Sequence, residues 1–401
     1  MAHDDSGRRN ALLAAGMLLV AVNLRAALAS VGPLIEPIRA ATGLSAAGFG
    51  LLTTLPLIAF GVVSVLAPAV TRRLGLGGAL VTGLALITFG AAVRPLAGGA
   101  LLFAGTAALG VGIALGNVLM PALVKRDFAH RSGTMTSLYS SAMGVGAAVA
   151  AGISVPVADA IGWRGALALW AVPAGVALVL WLPRAWPRKQ DEAAANGTPV
   201  MRGLIRSPLA WQIAAFMGFQ SLTFYVMLAW LPDLLQARGM DAARAGWLLA
   251  LSQATGIAGS AIIPFRAGRL RDQRRIVVVL AAIEAVSLLG LTLPGAGALA
   301  AVWVGAIGFV MGGTFALALL FLVLRAPDPH TATGLSGMAQ SVGYLIAAAG
   351  PAFIGFVHDV SAGWTVPLLC LFGVLAVKVV AGLGAGRDRI VAIASGDVRG
   401  G

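Results

Sequence analysis

The chain is poor in groups that titrate. Of 401 residues only 11% are charged, and there is one cysteine, Cys370. Soluble domains carry roughly 25% charged residues, so a water-soluble globule of this size is excluded. A lone cysteine excludes a disulfide framework and a cysteine-built metal site. The lysines are Lys125, Lys189 and Lys378, none of them in a GxxxxGK[ST] sequence, so an ATP-binding P-loop is excluded too. His3, His130, His330 and His358 lie in loops or at the ends of apolar runs, with no HxxxH spacing for a metal. No two carboxylates are placed as an acid–base pair. An enzyme, a resident metal and a cofactor are therefore not expected.

What remains is apolar and positive. Hydrophobic residues make up 59%, glycines number 53, and the formal net charge is +13; the mean hydropathy is +0.92. The basic residues stand in short clusters between apolar runs, forming no stripe or tail, which argues against nucleic acid as a partner. The pattern is that of an all-α integral membrane protein whose partner is the lipid bilayer.

A helix needs about 20 apolar residues to cross the hydrocarbon core. By that ruler the sequence predicts twelve spans, near 11–31, 46–70, 77–94, 99–124, 133–157, 165–183, 209–231, 244–264, 276–293, 297–324, 333–357 and 363–385. A polar segment, 184–208, separates the first six from the last six and reads as a mobile linker. The expected organisation is thus a half at 1–183, the linker 184–208 and a half at 209–401. Twenty-one of the 28 basic residues fall on one side if both termini are cytoplasmic, and five (Arg39, Arg94, Arg164, Arg238, Arg244) fall outside. Arg8-Arg9 before an apolar run imitates a secretory leader, but Asn23 and Arg25 interrupt that run, so it is expected to stay uncleaved.

The halves echo each other at an offset near 200 residues. Gly112 and Gly116 match Gly308 and Gly312, Pro68 matches Pro264, and Asp159–Trp163 resembles Asp359–Trp364. Duplicated six-helix halves are the architecture of many secondary transporters. The Gly-rich stretch 110–116 lies inside a span and reads as a packing face.

Several stretches carry a more specific likeness. They are Asn23-Leu24-Arg25 with Ser30-Val31-Gly32-Pro33, Leu51 to Pro56, Gly116-Asn117 to Phe128, Gln220-Ser221 through Tyr225 to Pro232, and Leu335-Ser336-Gly337-Met338-Ala339-Gln340-Ser341 to Tyr344. Together they resemble the major facilitator superfamily and, within it, the cyanate/2-nitroimidazole permeases. The resemblance implies the major facilitator fold: two pseudo-symmetric six-helix halves around a central cavity lined by the first, fourth, seventh and tenth helices. It also implies a monomer in a cell membrane of the bacterial inner-membrane type, moving a small polar or anionic solute by alternating access. One departure concerns the turn between the second and third helices, where Arg72 precedes Arg73-Leu74-Gly75 in place of the usual Asp. The cytoplasmic gate is then expected among Arg72, Arg73, Arg126, Asp127, Arg269 and Asp272.

Polar residues inside the spans are the candidate solute contacts. Arg25 interrupts the first span, where an ionised side chain costs about 2.5–3.5 kcal/mol or more without partners. Its guanidinium fork suits a carboxylate, cyanate or nitro oxygen; the alternative is a cation held by helix-end carbonyls and water. Asn23, Gln220, Tyr225, Gln340 and Tyr344 read as solute ligands or interhelical hydrogen bonds. Asn117, Tyr139 and Gln253 are weaker candidates of the same kind. Glu284, mid-span in the ninth helix, reads as a proton-coupling group or as a neutral acid bonded to a neighbouring helix. Lys378 is expected to snorkel to the headgroups. Proton-driven drug efflux and a non-transporting membrane sensor are the competing functions.

Overall fold

The computed structural model describes residues 2–44, 46–96, 99–185, 200–292 and 299–392. Thirteen α-helices are seen among them. They are α1 (Ala2–Ala29), α2 (Ile35–Thr42), α3 (Ala46–Val93), α4 (Gly99–Asp127), α5 (Ser132–Ala168), α6 (Ala171–Trp181) and α7 (Val200–Arg206). The rest are α8 (Pro208–Gln236), α9 (Ala242–Ala267), α10 (Arg274–Thr292), α11 (Ala300–Leu324), α12 (Pro329–Ser361) and α13 (Thr365–Ala385).

Ten helical runs are long and apolar enough to cross a membrane. Two of them break once, at Gly75 (φ 71°) and Gly162 (φ 77°), so twelve crossings result among the described residues. With ψ 170° and 160°, both residues lie in a region essentially confined to glycine, which is why the chain reverses at glycines. The sequence predicts loops at 71–76 and 158–164; the structure shrinks each to a single residue. The sixth crossing is interrupted again before Pro173. Proline cannot donate to the Leu169 carbonyl, and Val172 N–H takes that carbonyl at 3.1 Å instead.

Later helices start on conventional caps. Ser207 Oγ accepts from Ala210 N at 3.4 Å, and Asp241 Oδ1 from Arg244 N at 2.9 Å. Asp328 accepts from Thr331 N at 2.8 Å, with proline following both Ser207 and Asp328 at the first helical position.

The surface reverses the pattern of a soluble protein. Val62, Val179, Leu345 and Val380 are more than 60% exposed, whereas Arg94, Arg325, Glu284 and Lys378 are at most 3% exposed. That is the burial expected of a chain whose solvent is lipid.

The chain packs as two compact units, Met1–Leu123 with Leu138–Thr198, and Val124–Ser137 with Pro199–Gly401. The division at 198/199 falls within the expected linker. Residues 186–199 of that linker lie outside the described residues. Its end is ordered: α7 buries Leu204, and a Cβ at Gly334 of α12 would meet Leu204 Cδ1 at 2.9 Å. The start of α5 packs with the second unit, where Ser137 Oγ donates to the Ala261 carbonyl.

In the first unit α6 closes on α1, Trp181 Nε1 donating to Gly16 O at 3.3 Å. In the second unit α9 and α11 meet through glycines; a Cβ on Gly312 would lie 2.7 Å from Gly256 Cα, and one on Gly308 2.6 Å from Ser252 Cα. Small residues let membrane helices approach closely, which replaces the hydrophobic drive that lipid removes. The glycine repeat thus holds in sequence but not in use. Gly112 packs α4 on Ile87 and Gly83 of α3, after its break, whereas Gly308 and Gly312 pack α11 on α9. In the repeat the second arm of α3 answers to α10, not α9.

Candidate solute-binding residues and buried charges

In the first unit, Asn23 is 1% exposed and spends its amide hydrogens on carbonyls, Leu19 O at 2.8 Å and Pro173 O at 3.2 Å. It ties α1 to α6. Arg25, two positions on, is half-buried, as is Asn117 on α4. Tyr139 on α5 is 1% exposed, and among the described residues its hydroxyl is buried with no hydrogen-bond partner. Thr136 Oγ1, a helical turn earlier, is in the same condition. Nothing in the sequence marks Thr136.

In the second unit, Gln220 of α8 and Gln340 of α12 are each 1% exposed. They flank the tight contact of their helices, where a Cβ on Gly218 would be 3.3 Å from Gly343 Cα. Gln220 Nε2 donates within its own helix, to Met217 O at 3.1 Å and Ser221 Oγ at 2.7 Å. Its Oε1 is left buried with no hydrogen-bond partner among the described residues. Gln340 Nε2 donates to Ser336 Oγ at 2.8 Å. Tyr225 and Tyr344 are half-buried, Tyr225 standing edge-on to Phe224 at 5.3 Å between centroids. Gln253 on α9 is half-buried and donates to Ser252 Oγ at 3.3 Å. Phe216 packs on Phe321 at 5.5 Å and belongs to the core.

Glu284 and Lys378 correct the sequence reading. Lys378 does not reach the headgroups: its ammonium donates to Glu284 Oε1 at 2.6 Å and also to Oε2, joining α13 to α10. The two side chains are 4% and 3% exposed. The carboxyl is bonded to a neighbouring helix, as one of its two readings had it, with the Lys378 ammonium as the partner. An α10 carboxylate 94 residues away in sequence was not a visible partner for this lysine.

Two arginines sorted to loops by the sequence are also buried. Arg94 gathers three helices, donating to Ala27 O at 2.8 Å, Ser30 Oγ at 3.3 Å and Leu167 O at 3.4 Å. Arg325 donates to Ala385 O at 2.9 Å, Gly386 O at 3.2 Å and Gln273 Oε1. Burial pulls the Arg325 guanidinium below its ordinary value, with Asp388 and Asp272 opposing. Both arginines sit on carbonyls at helix ends, where the macrodipole favours a cation.

The expected gate residues pair locally. Arg126 and Asp127 form a two-pronged neighbour pair, 2.9 Å for each bond. Asp272 takes Arg274, whose side-chain and backbone hydrogen bonds hold the carboxyl below the usual carboxylate range. Arg72 and Arg73 are exposed, and exposed Arg269 stacks over Phe265 at 4.1 Å. No group of three or more potential metal ligands is found among the described residues.

Apolar helices joined through glycine contacts, with amides, tyrosines and an arginine held inside them, define a polytopic membrane transporter. The chain belongs to the Major Facilitator Superfamily, whose family model matches residues 13–351. It is 44% identical to the 2-nitroimidazole transporter of Escherichia coli over 96% of this chain and 98% of that one. It is 30% identical to the cyanate transport protein CynX of Escherichia coli, covering 90% of this chain and 94% of that protein. In three dimensions it resembles the Escherichia coli fucose:proton symporter with TM-score 0.75 and 15% identity, over 94% and 98% of the two chains. The protein is a secondary transporter.

Proposed function

We propose that the solute is a small, flat, polar molecule of the 2-nitroimidazole or cyanate kind, carried by alternating access without a chemical step. The names of the two relatives suggest the class. The observation that carries the reading is the hydrogen-bonding capacity left unspent. Gln220 Oε1 is a buried acceptor and Tyr139 Oη a buried donor, each with no partner among the described residues. A buried polar atom without a partner costs about 1–3 kcal/mol, a cost that a bound solute would remove. A nitroimidazole offers both a ring N–H donor and nitro-oxygen acceptors, the two kinds of partner that Gln220 Oε1 and Tyr139 Oη each lack; cyanate has only acceptor atoms. Arg25 is assigned to the solute's negative end, its planar fork matching two oxygens. Gln340, Tyr225, Tyr344, Asn117 and Gln253 complete the candidate contacts, while Asn23 supports α1 from behind.

The remaining assignments follow the same reading. The protein works as a monomer in a bacterial-type inner membrane, with both termini cytoplasmic. The exposed arginines at 72, 73 and 269 and the pairs Arg126–Asp127 and Asp272–Arg274 are assigned to the cytoplasmic gate. Glu284, whose carboxylate is committed to Lys378, is assigned no part in proton coupling.

Calorimetry on the purified protein tests the site. Wild type is expected to bind 2-nitroimidazole or cyanate. Arg25→Ala should abolish binding of the anion, and Arg25→Lys should weaken it severely, because the charge remains but the fork is lost. Gln220→Leu should weaken the nitroimidazole about tenfold and leave cyanate nearly unchanged, one hydrogen bond being worth roughly 1.4 kcal/mol. Near-wild-type affinity in Arg25→Ala returns Arg25 to a structural role, and failure of both solutes to bind wild type overturns the class.

A further inference from the structure

The turn from α9 to α10 carries more positive charge than either helix needs. Arg266, Arg269, Arg271, Arg274 and Arg275 fall within ten residues, and Asp272 is the only acid among them. All five arginines are exposed. Asp272 satisfies Arg274, and Phe265 lies under Arg269. Among the described residues, Arg266, Arg271 and Arg275 have no carboxylate in ion-pair reach. Arg274 and Arg275 also occupy the first turn of α10, where the helix dipole disfavours cations, so helix stability does not account for them.

The turn is held rigid from beneath. Gln273 N donates to Gly386 O at 2.9 Å, and Gln273 Nε2 to Ala267 O at 3.2 Å and Leu270 O at 2.5 Å. Arg325 holds the same side chain by its oxygen. Arg269 N and Leu270 N close back on Arg266 O and Ala267 O at 3.2 and 3.1 Å. The arginines therefore project from a fixed frame, not from a loose loop.

Their neighbours fix the depth at which they project. Arg266 stands one turn beyond Ile262, Arg274 one turn before Val278, and Arg275 one turn before Val279, with Val286 further along the same stripe. These four apolar side chains are about half exposed, from 46% to 55%. In a bilayer they face the acyl chains, which puts the guanidinium groups one turn outside the hydrocarbon, among the headgroups.

We propose that this corner binds the headgroup phosphate of an anionic phospholipid in the cytoplasmic leaflet. A basic cluster at that depth attracts anionic lipid, and the arginine fork matches a phosphate oxygen pair. The turn that corresponds to it in the sequence repeat, after Pro68, carries only Arg72 and Arg73, so the site belongs to one half alone. It does not depend on which solute is carried.

The full chain, purified in detergent, should be heated with added phosphatidylglycerol or phosphatidylcholine, and its bound lipids weighed by native mass spectrometry. Phosphatidylglycerol is expected to raise Tm by several degrees more than phosphatidylcholine and to stay bound. The triple variant Arg266→Gln, Arg271→Gln, Arg275→Gln should lose at least half of that difference; Arg72→Gln with Arg73→Gln should keep it. Equal effects of the two lipids, or a triple variant that keeps the difference, would overturn the site. So would inorganic phosphate reproducing the shift, because the ligand would then be a free anion. If the triple variant cannot be recovered, the wild type decides. Its preference must fall as added salt screens the charges, and a preference insensitive to salt overturns the proposal.

Discussion

A carboxylate and an ammonium buried together cost far less than either alone, and Glu284 with Lys378 depends on that difference. Removing one partner of a buried pair typically costs about 3–5 kcal/mol, whereas an apolar pair of similar volume is often neutral or better. Lys378→Met should therefore lower the unfolding temperature markedly, and Glu284→Gln with Lys378→Met should recover most of the loss. Thermal unfolding of the three proteins checks this. A double variant no better than the worse single one would mean the residues act separately. Transport should keep its pH dependence in the double variant, since the pair is assigned no part in proton movement. Arg94 illustrates the other solution, a cation met by carbonyls and a hydroxyl instead of a counter-ion.

Helix ends and helix contacts carry the next scale of argument. The reversals after the fifth and eleventh crossings occur at matching places, Gly162 with φ 77° and Ala362 with φ 50°. Ala362 is left-handed helical (φ 50°, ψ 33°), where a Cβ costs roughly 1–2 kcal/mol, offset partly by the freedom glycine brings to the unfolded chain; Gly162, with ψ 160°, lies in a region essentially confined to glycine. Ala362→Gly should stabilise the protein by about 0.5–1 kcal/mol, and Gly162→Ala should destabilise it by more, about 1–3 kcal/mol. Denaturation midpoints in one detergent would show whether the signs are opposite. Glycines paired by the repeat should differ as well. A Cβ on Gly312 meets the Gly256 backbone, which cannot yield, but one on Gly116 meets the end of the Leu24 side chain, which can. Gly312→Ala should cost about 1–3 kcal/mol and Gly116→Ala much less, measured in the same way.

Those glycines also mark the limit of what could be read beforehand. The apolar crossings were legible because hydrocarbon thickness leaves a local signal in every span. The repeat was legible as spacing, yet which neighbour Gly112 or Gly308 touches depends on tertiary approach, which spacing does not encode. Lys378 was misread for the same reason, its partner being 94 residues distant. Arg94 and Arg325 adjoin span ends, where sequence alone does not separate a headgroup arginine from one turned inward. Among the candidate contacts, the intramembrane position of Gln220 was legible, but not that its nitrogen would be spent and its oxygen free.

At the scale of the whole molecule the assigned orientation is open to direct measurement. With Cys370 replaced by serine, a cysteine at exposed Gln236 should react with a membrane-impermeant thiol reagent added to intact cells. A cysteine at exposed Arg387 should react only after permeabilisation. The reverse result would invert the protein, and with it the leaflet assigned to the arginine cluster between α9 and α10.

Arg325 has a consequence for how the protein is made. Its acceptors lie far apart in the order of synthesis: Gln273 is translated well before it, and Ala385 and Gly386 well after. The Arg325 carbonyl in turn waits for Val391 N–H, which reaches it at 2.8 Å. The end of α11 can enter the membrane early, but its guanidinium must remain hydrated until residues 385–391 leave the ribosome. Translation interrupted between 326 and 384 would leave a product that spans the bilayer yet carries a cation with no means of burial. The corner at Arg325 is therefore closed only after residues 385–391 have been made, whatever the order in which the helices enter the membrane.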